Sequence, residues 1–377
     1  MNLSKCIKIF LSLFLCLLLF TGCTGNRHLK DLLIVEGLGI DYKGEEITVT
    51  LQSLKINMSN ASDTPQGNMT FNTSSNGKTV SSAINNLTKS VSKRAFFGHN
   101  KIIVLSKELA QNDIENYIDY FLRSEDARAD VAICVSKKNA DFILESKEND
   151  ANVPSENILY LINNNEKTGQ SILVNENELL MLYQDKNSDI YLPVVDRIDE
   201  KSTVKAAGIA LFSKNQLTYI TDDIETKGFV ILKNKANDVL LQIEDEKLGK
   251  TDVKLSNLKC KKSAGTDGKN IFFNVQISGD MILGEIEKGT QNKLSKDDYT
   301  RLCTLAEKAC SKTVSKAFNA CVNAKSDALR VGKYIARDCP TYYEDYSKDF
   351  DKNFQNVKLN VASDIKLEKI SDNSQLE

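Results

Sequence analysis

The alternation of apolar and polar positions predicts a β-hairpin where the folded part of the chain begins. Residues 32–40 form an apolar run that contains two glycines, and a Lys-Gly-Glu turn leads from this run into a strand over 47–51. Two such strands joined by a short turn are typical of a hairpin. The apolar positions change parity after this strand, which predicts a bulge near Gln52 and Ser53.

Helix and strand signals then alternate as far as residue 150. Apolar residues recur at helical spacing over 80–91 and again over 114–122, with an apolar strand between the two stretches. Asn112, with Glu115 three residues later, predicts the cap of the second helix. Leu122 lies on the face of this second helix that is predicted to point inward. This order of elements indicates an α/β arrangement.

The pattern changes after Lys201, where apolar strands follow one another without predicted helices between them. Successive strands of this kind indicate an antiparallel sheet. A helix of about 28 residues from Lys296 carries one apolar stripe, so we expect it to cover that sheet. The predicted strands are 206–212, 217–220, 229–232, 239–243, 271–277 and 357–361.

The predicted fold class is therefore α+β (mixed α/β). It comprises an N-terminal mixed sheet with helices, a small middle subdomain, and a C-terminal antiparallel sheet covered by a long helix. The predicted organisation is a signal peptide at 1–22, a tether at 23–30, an N-terminal region at 31–200 with a subdomain at 151–200, a C-terminal domain at 201–370 and a polar tail at 371–377.

Composition narrows the class of protein. Of 377 residues, 41% are hydrophobic and 27% charged, which excludes a disordered chain and a multi-span membrane protein. The formal charge of -2 provides no positive field for a phosphate backbone, so we expect no nucleic-acid partner. Two histidines and no C-x-x-C pair argue against zinc or another metal. The cysteines of the folded body are expected to be buried free thiols, with a bridge through Cys260 or Cys339 as the alternative.

The first residues have the features of a lipoprotein signal peptide. Lys5 and Lys8 precede an apolar run over 9–20 that is too short for a spanning helix, and Thr21-Gly22-Cys23 follows. The string ending at Cys23 resembles a bacterial lipobox, in which the cysteine sulfur takes a diacylglyceryl group. Two or three acyl chains would then hold the protein stably on the outer face of the membrane. The alternatives are an uncleaved anchor and a cysteine that merely ends the apolar run.

No motif supports catalysis. The chain has no Walker loop, no nucleophile elbow and no H-E-x-x-H pair, and its Gly37-x-Gly39 lacks the third glycine of a dinucleotide fingerprint. His99 is the one natural general base of the folded body, and a histidine after two phenylalanines is usually structural. We therefore expect no enzyme and no cofactor.

Several strings of the sequence are distinctive, and the most specific is Phe96-Phe97-Gly98-His99-Asn100-Lys101. The other strings are Leu32 to Asp41, Gly77-Lys78-Thr79, Phe121-Leu122-Arg123 with Arg128, Gly208 to Phe212, Glu225 to Gly228 and Asp327 to Val361. Together these strings resemble the Ger(x)C family, the lipoprotein C subunits of nutrient germinant receptors in endospore-forming bacteria.

This resemblance implies a non-catalytic subunit that is anchored to the outer leaflet of the spore inner membrane. It also implies assembly with an A subunit and an integral B subunit, and it places the small-molecule germinant with the complex rather than with this chain. The alternatives from other classes are a solute-binding lipoprotein of an importer, suggested by the anchor alone, and a wall hydrolase built on His99.

Six residues of the matching strings, besides the lipidation candidate Cys23, are candidates for a partner interface. The competing interpretation is structural: a tight turn at His99 to Lys101, and ion pairs at Arg123 and Arg128. The interface candidates are Phe97, Gly98, His99, Asn100, Lys101 and Arg123.

Overall fold

The computed structural model contains two β-sheets with helices packed against them, which confirms the predicted α+β class. The segments predicted as signal peptide, tether and polar tail lie outside the described residues, apart from positions 7, 10 and 12. Cys23 is among the residues outside. The structure describes residues 31–55, 69–112, 114–124, 128–146, 153–198, 203–287 and 294–368 in addition to those three positions.

Nine strands form the first sheet and four form the second. The order of the first is β3-β2-β1-β5-β6-β7-β8-β9 with β4 beside β1, and the order of the second is β10-β11-β12-β13. The strands are β1 Leu32–Lys43, β2 Glu46–Leu54, β3 Thr70–Gly77, β4 Arg94–Phe96, β5 Ile102–Ser106, β6 Ala132–Ser136, β7 Tyr191–Ile198, β8 Thr203–Ser213, β9 Gln216–Ile220, β10 Val239–Asp245, β11 Gly249–Thr266, β12 Ile271–Ile286 and β13 Lys358–Leu367.

The helices lie between and over these strands. In the described part of the chain, none of them is both long and apolar enough to cross a membrane. They are α1 Val80–Leu87, α2 Lys107–Asn112, α3 Glu115–Arg123, α4 Ala140–Leu144, α5 Pro154–Lys167, α6 Glu176–Gln184, α7 Asp223–Leu232, α8 Lys296–Asn323, α9 Val331–Asp338, α10 Pro340–Lys348 and α11 Phe350–Gln355, with a 3₁₀ turn at Phe97–His99.

The first sheet is parallel at its centre and antiparallel at its flanks. Strands β1, β5, β6 and β7 run parallel, whereas β2, β3, β8 and β9 complete the sheet by antiparallel pairing. The predicted hairpin of β1 and β2 is confirmed. Its bulge lies opposite Gln52 and Ser53, but the extra residue is Glu36 of β1, because Val35 faces Ser53 while Gly37 faces Gln52.

Helices α4 and α5 cover one face of this sheet, close to β1. A Cβ at Gly37 would lie 3.0 Å from the Ser155 Cβ, and one at Gly39 would lie 3.2 Å from the Ala140 Cβ. Glycine at both positions therefore lets the two helices approach the strand backbone. Asp41, at the end of β1, accepts hydrogen bonds from the amides of Ala140 (2.7 Å) and Asp141 (3.3 Å), and so caps α4.

Helix α8 covers the second sheet, as predicted, and it has the predicted 28 residues. Its Phe318 ring stacks on Phe273 of β12 with centroids 5.9 Å apart. The predicted antiparallel pairing holds for β10, β11 and β12, whereas β13 runs parallel to β12. The chain reaches β13 through α9, α10 and α11, and this long crossover connection permits a parallel strand where a hairpin would not.

Three segments assigned to the second sheet from sequence belong elsewhere. The predicted strands 206–212 and 217–220 are β8 and β9 of the first sheet, and 229–232 is the end of α7. A four-residue apolar run does not distinguish a strand from a buried helix. The segment is helical because Asp222 forms a capping box with Glu225 and so starts the helix.

Two further local predictions are wrong. Asn112 ends α2 rather than capping α3, because its side-chain amide donates to the Glu108 carbonyl oxygen at 2.6 Å. Leu122 is 46% exposed although it was predicted to face inward. The stretch 151–200, predicted as a small subdomain, contains α5, α6 and β7, and β7 lies between β6 and β8 in the first sheet.

The cysteines of the described chain are free thiols, as predicted. Cys134, Cys260, Cys310, Cys321 and Cys339 are buried, and Cys303 is half-buried. The alternative of a bridge through Cys260 or Cys339 is therefore not realised.

Candidate functional site

The segment from Phe97 to Lys101, here called the 97–101 turn, links two strands that pair with different halves of β1. Strand β4 pairs with Leu32–Ile34, and β5 pairs with the stretch from Gly37 to Ile40. The extra residue Glu36 lies between these two halves. The turn thus carries the chain past the bulge, and its backbone is fixed at both ends by sheet pairing.

Backbone and side-chain hydrogen bonds hold this turn in place. The Asn100 amide donates to the Phe97 carbonyl oxygen at 2.9 Å, and the Lys101 amide donates to the Glu36 carbonyl oxygen at 2.9 Å. The Arg128 guanidinium donates to the Gly98 carbonyl oxygen. These bonds support the structural interpretation of the sequence pattern, in which backbone groups of a tight turn find partners.

The middle of the turn has no space for a side chain at position 98, which is why glycine is needed there. A Cβ at Gly98 would lie 2.8 Å from the Cε1 atom of the Phe96 ring, which is closer than any ordinary contact. The Phe96 ring also lies near the His99 ring, with 6.3 Å between centroids. A side chain at this position would therefore displace an aromatic ring of the turn.

His99 and Glu36 are the two titratable side chains that face each other beside the turn. The His99 Nδ1 atom lies 3.9 Å from the Glu36 Oε1 atom, and the side chains are 58% and 7% exposed. Burial raises the pKa of Glu36, whereas the charges of Lys101 and His99 lower it. The exposed imidazole thus lies beside a buried carboxyl group at the surface of the turn.

A small cavity joins the turn to α6. Its volume is about 20 Å³, and Phe97, Asn100, Arg128 and Glu176 are among its lining residues. The Asn100 Oδ1 and Glu176 Oε1 atoms are buried without a hydrogen-bond partner in the part of the chain that the structure describes. A cavity of this volume has room for about one water molecule.

The Glu176 carboxyl makes stability depend on pH. Burial raises the pKa of Glu176 to about 7 from 4.5, despite a hydrogen bond from the Arg128 amide. The folded protein then binds this proton more tightly than the unfolded chain does. The stabilising contribution of Glu176 to the free energy of unfolding is therefore complete below pH 4.5 and is lost as pH rises through 7. We expect the difference in free energy of unfolding between wild type and Glu176→Gln to change by about 3 kcal/mol across this window.

Urea unfolding of both proteins at several pH values measures this difference. The subtraction removes the contributions of the other buried acids, since these are common to both proteins. A difference that stays constant from acid to neutral pH would contradict the assignment.

Arg123 lies away from the turn. Its guanidinium pairs with Asp119 at 2.8 Å on the exposed face of α3, and the Arg123 side chain is 77% exposed. Both residues line a groove of about 610 Å³ together with Lys78 and Thr79. Two of the matching sequence strings therefore meet in this groove, although one ends β3 and the other ends α3.

The sequence analysis identified the turn but missed the two buried acids near it, Glu36 and Glu176. Glu36 is an acid within an otherwise apolar strand, which is a signal that was available. Glu176 follows Asn175, whose side chain caps α6 by accepting from the Glu178 amide at 2.8 Å. An acid in the first turn of a helix is ordinary, so nothing in the local pattern distinguished this one.

Two protein-family models match the chain. The model described as spore germination protein N-terminal domain matches residues 25–197, and the model described as spore germination B3/GerAC-like C-terminal domain matches residues 207–371. Both descriptions name germination and neither names a reaction.

Curated relatives and a solved structure agree with these matches. Spore germination protein KC of Bacillus subtilis (strain 168) is 23% identical over 93% of this chain and 92% of its own length. Spore germination protein A3 of the same organism is 25% identical over 70% of each chain. The crystal structure of the GerBC protein has the same fold, with a TM-score of 0.59 and 17% identity over 88% of this chain and 96% of that one.

These matches extend over most of the chain and include both sheets. The chain belongs to the GerAC-like family of spore germination proteins.

Proposed function

We propose that this protein is a non-catalytic subunit of a nutrient germinant receptor, held by lipid on the outer leaflet of the spore inner membrane. It acts by assembling with an A subunit and an integral B subunit. The observation that carries this proposal is Cys23, a lipobox-like cysteine that stands two residues before the first family match at residue 25. Two or three acyl chains on that residue would anchor the protein stably.

The number of residues between Cys23 and the first strand limits how far the start of that strand can lie from the membrane. Nine residue steps separate Cys23 from Leu32, where β1 begins. A fully extended chain spans at most about 3.5 Å per residue, so the start of β1 lies within about 30 Å of the lipid surface. We therefore assign to the membrane side the edge at which the parallel strands begin.

The 97–101 turn lies at this edge. Strand β4 starts beside Leu32, and the turn follows β4 directly. His99 is exposed on this edge, and hydrogen bonds fix the backbone around it. We assign His99 and Lys101 to the contact with an integral subunit. A rigid surface loses little conformational freedom on binding, and a tether raises the effective concentration of membrane partners.

A cysteine substitution tests the anchor. In spores that carry Cys23→Ala, we expect the protein to leave the membrane fraction and the germination response to nutrients to fall to that of a deletion strain. Cys16→Ala is the matched control, because this cysteine lies in the same leader but outside the lipobox-like string. Retention of the Cys23→Ala protein in membranes, together with normal germination, would contradict the proposal.

The same membranes test the orientation of the protein. A photo-crosslinking residue at position 101 is expected to capture an integral membrane protein. The same residue at Leu240, which is 51% exposed on β10 of the second sheet, serves as the control and is expected to capture less. Equal capture from both positions would argue against the assigned edge.

The importer hypothesis receives no comparable support. A solute-binding lipoprotein of that kind usually has two similar α/β lobes around a cleft. Here one sheet has nine strands of mixed direction and the other has four, so the two halves of the chain are unlike.

A further inference from the structure

A cavity of about 150 Å³ lies where the last helices meet the first sheet. Its wall comes from three separate stretches of chain: the loop before β7, the segment after α8 with the start of α9, and helices α10 and α11. Its lining residues include Lys186, Asp189, Asp327, Gly332, Tyr346 and Phe350. At about 30 Å³ for each water-sized group, the cavity holds about five non-hydrogen atoms.

Two acids are held rigidly in this wall. Asp327 is 2% exposed, and its carboxylate oxygens accept the amides of Val331 (2.6 Å) and Gly332 (2.7 Å). The Asp189 carboxylate accepts the Asp327 amide at 2.7 Å. Burial raises the pKa of Asp327 to about 8, although Lys233 and the two amides favour its charged form. Asp327 and Asp189 thus line the cavity with carboxyl oxygens.

The Tyr346 hydroxyl is the polar group of this wall without a partner. Tyr346 is 3% exposed, and its Oη atom has no hydrogen-bond partner among the described residues. Burial raises the pKa of this hydroxyl, and the charges of Asp327 and Asp189 raise it further. A buried hydroxyl without a partner is costly unless a ligand or water supplies one.

Gly332 marks the point around which these groups converge. A Cβ built on Gly332 would lie 3.1 Å from the Asp327 Oδ2 atom, 3.5 Å from the Tyr346 Cε1 atom and 3.9 Å from the Asn187 Oδ1 atom. Glycine thus leaves open a space bounded by a carboxylate, an aromatic ring and an amide oxygen.

We propose that this cavity binds a small organic cation with a primary ammonium group. Its three N–H bonds would meet oxygens of Asp327, Asp189 and Tyr346, and its alkyl part would lie against the rings of Tyr346 and Phe350, whose centroids are 5.9 Å apart. Carboxylates and aromatic faces together favour an ammonium ion over a neutral molecule. This site is independent of the membrane anchor and of the 97–101 turn.

The basic residues near the cavity leave room for such a ligand. Arg330 is engaged by Asp185 at 3.6 Å and by the Ser188 hydroxyl at 3.4 Å. Lys186 lines the cavity, but it is exposed, so its flexible stem can keep its ammonium in water.

Equilibrium dialysis of the full-length lipidated protein in detergent tests the proposal. The probes are labelled n-propylammonium and propan-1-ol, which have the same number of non-hydrogen atoms and differ in charge. We expect propylammonium to bind at least about tenfold more tightly than propan-1-ol at neutral pH and physiological salt.

Two variants connect this binding to the cavity. Tyr346→Phe removes only the unpartnered hydroxyl, so we expect about a fivefold loss of propylammonium affinity with unchanged or higher thermal stability. Gly332→Ala places a methyl group at the point of convergence and is expected to abolish binding. Alanine favours the helical state of α9 more than glycine does, so a loss of binding in this variant is not explained by unfolding of that helix.

The outcomes distinguish a ligand site from a water-filled void. Selective binding of propylammonium that both variants weaken supports the proposal. Equal binding of the two probes, or propylammonium binding that Gly332→Ala leaves unchanged, would overturn it.

Discussion

Replacing Gly228 with alanine is expected to lower the free energy of unfolding by about 3 kcal/mol, at the upper end of the usual cost of overpacking. Gly228 lies in α7 where this helix crosses α8. The new Cβ would lie 2.9 Å from the Thr313 carbonyl carbon and 2.8 Å from the Ala317 Cβ. The obstacle is backbone, which cannot rotate out of the way, so the helices must separate.

The position of this crossing makes the effect global. Phe229 of α7 packs edge-on against Tyr191 of the first sheet, with centroids 5.2 Å apart. Helix α8 packs on the second sheet, so the contact between α7 and α8 joins the two sheets. Separation of these helices would loosen the whole molecule rather than one surface.

A neighbour in the same helix serves as the control for Gly228. Ile224 is 43% exposed, and Ile224→Ala should change stability by no more than about 0.5 kcal/mol although it removes more atoms. Chemical unfolding of both variants measures the comparison. A Gly228→Ala protein as stable as wild type would show that the helices are not in close contact.

Replacing Gln52 with leucine is expected to cost about 4 kcal/mol. Gln52 is fully buried in β2, where its Nε2 atom donates to the Leu144 carbonyl oxygen at 2.6 Å. Its Oε1 atom accepts both the amide, at 2.9 Å, and the hydroxyl of Ser155. Leucine leaves these three buried groups without partners, at a cost of about 1–3 kcal/mol for each group.

An exposed glutamine provides the matched control for Gln52. Gln276 lies on the solvent side of β12, and Gln276→Leu makes the same chemical change with an expected effect below about 0.5 kcal/mol. Adding Ser155→Ala to Gln52→Leu should recover part of the loss, because one orphaned hydroxyl is then removed. Equal effects of the two leucine substitutions in urea unfolding would contradict this account.

Local sequence signals predicted those parts of the fold that depend on neighbouring residues. The hairpin of β1 and β2 follows from alternation and a glycine turn, and α8 follows from its apolar stripe. The wrong prediction of a strand at 229–232 also comes from relying on local signals. An apolar run of four residues is too short to show the period of either a helix or a strand. Its helical state depends on the cap at Asp222, seven residues earlier.

Contacts between residues that lie far apart in the chain could not be predicted from the sequence. The glycines at 37 and 39 were visible as a pattern, but the residues that require them, Ala140 and Ser155, lie about a hundred positions away. The candidate site was limited in the same way. Gly98 and Arg128 were both singled out, yet no spacing rule states that the guanidinium donates to that carbonyl oxygen.

The buried free thiols have a consequence for chemical durability. Only a thiolate attacks oxidants and disulfides at an appreciable rate. Burial raises the pKa of Cys310 to about 12, so about one molecule in 10⁵ carries the thiolate there at neutral pH. Burial raises the pKa of Cys134 and Cys321 as well. The thiols of the core are therefore protected from oxidation and from disulfide exchange at neutral pH.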